Sequence, residues 1–190
     1  MNYYVIKYAG PFGFIKPWTA VRDSKTFSQQ FLTASIVEGI EKKIFPELLF
    51  EIGIKKILRH KLTYSSISVQ QEVTQTRGWE YKKQQSIMIR NRSILERGVM
   101  LNPVLLFAFQ TQEDAYQASL QHICLCRNED ILLPDSQIEA MTEEVFNSLN
   151  GFELRFEETD NSFITGFNRF NKAEPMYGKL EITGNPVSNS

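Results

Sequence analysis

The chain has 190 residues, 42% hydrophobic and 23% charged, with a formal net charge of −1. That is ample for one packed core and excludes a repeat array or a low-complexity polymer. The average conceals a segregation: Gly53 to Arg97 holds ten Lys or Arg against three Glu, a balance of +7, whereas Thr111 to Asp160 holds two Arg against twelve Asp or Glu, a balance of −10.

The opening residues NYYVIKYAG are β-rich and end at Gly10, Pro11 and Gly13, which predicts a first strand over about 3–9. No basic n-region with an apolar stretch stands there, and the longest apolar run, VMLNPVLLFAF, is broken by Asn102 and Pro103, so the expectation is a cytoplasmic protein with no membrane contact. In FSQQFLTASIVEGIEKKIFP, Leu32, Ile36, Ile40 and Ile44 recur every fourth residue and Phe27 and Phe31 extend the stripe back, predicting a helix that Pro46 stops. KKILRHKLTYSSISVQQ alternates and slips phase near Ser65, which reads as one long, bulged strand.

The polar, basic stretch EVTQTRGWEYKKQQ then reads as a projecting hairpin with a turn at Gly78, followed by strands in SIMIRNR and PVLLFAFQ. Capping boxes at TQED (111–114) and SQIE (136–139) predict two more helices, the second carrying Ile138, Met141, Val145 and Leu149. The remaining tail predicts two or three strands with turns at Gly166 and Gly178, and a flexible end over 185–190. Together the elements describe one domain over 1–184, an α+β fold with an antiparallel ferredoxin-like sheet, helices on one face and a hairpin inserted at about 70–90.

The catalytic inventory is thin: no phosphate loop, nucleophile elbow or paired-carboxylate motif is present, and no cofactor or small-molecule substrate is implied. His122, Cys124 and Cys126 alternate but lack a fourth ligand, and packing explains them without a metal. His60 shares its phase with Leu58 and Leu62, as a core histidine would. What remains is the basic hairpin. Tyr64, Trp79 and Tyr81 are interleaved with its cations, and rings among cations suit unpaired bases better than a generic polyanion.

A strand running into GPFGFIKP, a helix reading FLTASIVEGIEKKIF, and a basic strand-hairpin leading to IMIRNRSIL…NPVLLFAF resemble, over about residues 1–123, the 5′-handle-binding subunits of class 1 CRISPR effector complexes, Cas family five of the RAMP superfamily. The resemblance implies an RRM-related domain with a hairpin thumb. Such a subunit holds the 5′ tag of the crRNA and abuts a backbone subunit of Cas family seven type. On it, Arg77, Lys82 and Lys83 would meet phosphates, Trp79 and Tyr81 would stack, and Arg90 and Arg92 would line the return strand. Lys16, Trp18 and Arg22 would form a second wall, and Ser35 and Gly39 match helix positions where RNA backbone comes close. One branch of the family also cleaves guide precursors without metal, a chemistry for which His60, Lys61 and Tyr64 are the available cluster. An RNA-independent scaffold is the third alternative.

Overall fold

Alternation in the first strand decides the two faces of the main sheet: in β1 (Asn2–Ala9), Ile6 and Tyr8 belong to one buried cluster, Tyr3 and Val5 to another. The computed structural model describes residues 1–18, 24–75 and 77–188, so Arg22 lies outside the described residues. After β1 come β2 (Phe12–Gly13), β3 (Lys25–Phe27), α1 (Ala34–Ile44), β4 (Ile57–Thr63) and β5 (Ser66–Gln75). They are followed by β6 (Glu80–Lys82), β7 (Ile87–Ile89), β8 (Arg92–Leu101), β9 (Val104–Phe109) and α2 (Gln112–Ser119). The chain closes with β10 (Ile123–Cys124), β11 (Ile131–Thr142), α3 (Glu143–Ser148), β12 (Gly151–Arg155), β13 (Phe163–Asn168) and β14 (Glu174–Thr183). Among the described residues no helix is long and apolar enough to cross a membrane.

The fold is mixed α+β with mostly antiparallel strands. One sheet runs β10-β11-β1-β9-β4-β12-β14-β13, and every pairing between its strands is antiparallel. Val37, Ile40 and Ile44 of α1 and Ala115 and Ala118 of α2 pack with Ile6, Tyr8, Leu62, Leu105 and Phe107 on one face. On the other face Phe146 of α3 meets Tyr3, Val5 and Ala108. The helices therefore cover both faces, which corrects the expectation of one.

Several boundaries differ from the sequence reading for identifiable reasons. The first helix starts after Thr33, and Phe27, whose spacing imitated the helical stripe, lies in β3, parallel to β8 and seated on Gly98. The phase slip near Ser65 is a break: β4 stays in the main sheet while β5 leaves with β8 as a separate ribbon paired from Ser66↔Leu101 to Gln75↔Arg92. The SQIE segment is not a helix. It lies in β11, where pairing with β1 from Asn2↔Thr142 to Ala9↔Leu133 outweighs local capping propensity. The helix that follows is capped by Thr142, whose hydroxyl accepts from Val145 N at 3.3 Å. Thr111 does cap α2, accepting from Asp114 N at 3.1 Å.

Gly166 and Gly178 lie inside β13 and β14, not in turns: Gly166 has φ +138° at a bulge, and a side chain at Gly178 would run into Leu154. The segment after Gly184 is tied down as far as Ser188. Tyr64 N donates to Pro186 O and Ser188 N donates to Tyr64 O.

Two buried carboxylates on α1 hold the connection from α1 to β4. Glu41, fully buried, accepts from the backbone N–H groups of Lys55, Lys56 and Ile57 at 2.8, 2.6 and 2.7 Å. Glu38 accepts from Gly53 N at 3.0 Å and Lys42 Nζ at 2.9 Å. Donors entering a strand have no ladder partner, so these carboxylates replace one.

Candidate nucleic-acid interface

Two basic regions emerge, one on the ribbon and one beside α1. The ribbon is a ten-residue stem extended by the tip hairpin of β6 and β7, so the stem alone spans about 30 Å. The tip turns at Lys83 to Ser86, with Ser86 at φ +49°, rather than at Gly78. Arg77, Lys82, Lys83 and Arg92 are exposed there, and none has a carboxylate partner among the described residues. Trp79 is 61% and Tyr81 56% exposed, which excludes a core role for either. The Arg90 guanidinium lies 5.5 Å from the Trp79 ring centre, and Asn91 Nδ2 donates to Glu80 at 2.8 Å. One face of the indole is thus backed by a cation while the side chain stays accessible.

The second region is a cleft of about 270 Å³ beside α1. Helical spacing aligns Ile36, Gly39, Ile40 and Lys43 along one wall, the β10–β11 turn forms the second, and Arg169 from the β13–β14 loop closes it. Arg169 lies directly over Gly39: a Cβ there would overlap Arg169 Nη2. Gly39 therefore seats an arginine side chain on the helix position where the resemblance implies an approach of RNA backbone. The guanidinium also stacks 4.7 Å from the Phe170 ring centre. Lys43 and Arg169 are exposed without carboxylate partners among the described residues, whereas Arg127 is neutralised by Asp130 at 2.9 and 2.6 Å and by Glu129 at 3.6 Å.

Of the wall predicted after the first strand, Lys16 and Trp18 are exposed and lie outside the lining of this cleft. Exposed Trp18 meets Phe167 edge-on at 5.6 Å. Ser35 pairs with Thr33 across 3.3 Å at the start of α1. Cys124 and Cys126 line the cleft, and no group of three or more metal-competent side chains occurs among the described residues. Lys43 and Arg169 were missed in the sequence because they arrive from distant elements. The readable signal was an arginine flanked by aromatics in GFNRF.

His60, Lys61 and Tyr64 do not form a site. His60 is buried and stacked on Phe156, with ring centres 5.4 Å apart, and burial pushes its pKa down to about 4. Lys61 points to the opposite face, where its ammonium donates to Asn147 O, Leu149 O and Thr183 Oγ1. Burial lowers its pKa. Tyr64 is 4% exposed and accepts from Gln30 Nε2 at 2.6 Å. Alternation along β4 separates the base from the cation, and burial hides both.

No protein-family model and no curated protein matches the sequence. Among solved structures, a chain titled "CRISPR RNA-guided surveillance complex" aligns over 97% of this chain and 92% of its own length, with a TM-score of 0.53 and 10% identity. Another, "Crystal structure of Cas protein", covers 99% and 98%, with a TM-score of 0.46 and 13% identity. At such identity the first likeness establishes a shared fold.

Proposed function

We propose that this chain is a non-catalytic, guide-RNA-binding subunit of a class 1 CRISPR effector complex, of Cas family five in the RAMP superfamily. It acts in the cytoplasm, holds the 5′ tag of the crRNA and caps a filament of backbone subunits of Cas family seven type. The order β11-β1-β9-β4, with α1 and α2 as the crossovers, fits the ferredoxin-like arrangement on which this reading rests. The ribbon of β5 and β8, with its tip, plays the thumb.

The observation that carries the reading is the pairing of two unneutralised basic surfaces with rings. The cleft offers Lys43 and Arg169, the latter stacked on Phe170, and the tip offers Arg77, Lys82 and Lys83 beside Trp79 and Tyr81. Cations position a sugar–phosphate backbone, and exposed rings take unstacked bases. Much of the acidic half is by contrast either solvated or consumed internally, as Asp130 is by Arg127 and Glu153 by Arg59. The separation of His60 from Lys61 supports the non-catalytic role.

The test is co-expression with the proteins encoded beside it, followed by purification and sequencing of bound nucleic acid. The expected result is RNA of defined length sharing one 5′ segment. Recovery of no RNA, or of random fragments, would refute the role. Repeat-containing RNA incubated with the pure chain should remain intact, and a discrete product lost in His60→Ala would overturn the non-catalytic assignment.

A further inference from the structure

The connection from α1 to β4 carries Phe50, the most exposed large apolar side chain of the described residues at 94%, with Leu49 and Ile52 more than half exposed beside it. On a loose loop this would mean little, but here the backbone is held. Leu48, Leu49 and Glu51 close turns onto Phe45, Pro46 and Leu48, and the far end is gripped by buried Glu38 and Glu41 through Gly53, Lys55, Lys56 and Ile57. An aromatic on a backbone already fixed costs no chain ordering when it is covered, only its own side-chain rotamers, as suits an interface anchor.

Next to this knob, Pro46 and Glu47 form one side of a cleft of about 560 Å³ whose other side carries Glu113 and Asp114 at the start of α2. Its cation, Lys56, is held 2.9 Å from both Glu47 and Asp114, which leaves Glu113 without a cation among the described residues. Even with Lys55 counted, Glu47, Glu51, Glu113 and Asp114 outnumber the two lysines. A surface so charged repels nucleic acid and anionic lipid and selects a basic partner. Its position agrees: β4 runs from the knob at Ile57 to the ribbon at its other end, about 20 Å away.

We infer that the Pro46–Gly53 knob and the acidic cleft beside it are a docking surface for a neighbouring protein subunit, one presenting an apolar pocket rimmed by Lys or Arg. The inference rests on the assembly reading above. The test uses the full chain, co-expressed with the proteins encoded beside it, carrying photoreactive benzoylphenylalanine at position 50. Illumination should join it to a different protein subunit. Phe50→Ser and Glu113→Lys should each lower recovery of that subunit at least tenfold while leaving melting temperature and RNA affinity of the isolated chain unchanged. Cross-linking to RNA, to a second copy or to nothing would overturn the inference, as would a Phe50→Ser chain that assembles like wild type. If the unsubstituted chain co-purifies with no other protein, the assembly reading falls first and this inference with it.

Discussion

Gly39→Ala should raise stability slightly while weakening RNA binding, an opposition of signs that a merely structural glycine would not produce. Gly39 lies in the interior of α1, where alanine is favoured over glycine by about 1 kcal/mol. The new methyl would displace the Arg169 guanidinium, a flexible exposed group, at the expense of its contact with Phe170, about 0.5 kcal/mol at such a site. The net gain is then roughly 0.5 kcal/mol, which for this chain length corresponds to a rise of about 1–2 °C in melting temperature. Loss of one phosphate contact should meanwhile reduce the slope of log affinity against log salt by about 0.7. Affinity should fall between about threefold and tenfold, since a charge-assisted hydrogen bond contributes about 1.5–3 kcal/mol and the arginine is moved rather than removed. The assay is fluorescence anisotropy with guide RNA at several salt concentrations, beside thermal melts. Arg169→Ala, which removes the group outright, should lose at least as much, and the double variant should bind no worse than Arg169→Ala alone. A Gly39→Ala protein that binds as wild type would refute the cleft as an RNA site, and one that melts several degrees early would refute the stability reasoning.

On the tip, Lys82→Ala with Lys83→Ala should flatten the salt slope by about 1 to 1.5, and an unchanged slope would remove these lysines from the interface. Trp79→Ala should reduce affinity by about 1–3 kcal/mol at constant slope, with an unaltered melting temperature because the ring is exposed; early melting would contradict that exposure. His60, held neutral by burial with its pKa lowered from 6.5 to about 4, makes the unfolded chain the better proton acceptor. Stability should therefore fall by about 1.4 kcal/mol per pH unit as pH drops from 6.5 towards 4. Urea midpoints should show this slope for wild type and not for His60→Leu above pH 4.5, below which Glu153, whose carboxyl is held low by Arg59 against the opposing effect of burial, begins to contribute. Glu41→Ala strands three backbone donors and should destabilise by about 3–5 kcal/mol, whereas Glu41→Gln, which keeps an acceptor oxygen, should lose less; equal urea midpoints for the two would refute the clamp.

Local chemistry was enough to reveal β1 from its β-rich run, the apolar stripe of α1, the Thr111 cap of α2 and the polar, basic stretch that becomes the ribbon tip, because each is written in residues within one or two turns of one another. The charge segregation was equally legible, and it pointed to the exposed Arg77, Trp79, Lys82 and Lys83. Tertiary structure decided the rest. Ile138 and Met141 read as a helix until β1, more than 130 residues away, supplied strand partners. Glu41 carried no legible role in the sequence, because the N–H groups it accepts from are brought to it only when the loop folds back. Arg169 had no visible role until the β13–β14 loop laid it across Gly39, since a glycine in a helix says only that something comes close, and nothing nearby in the chain says what.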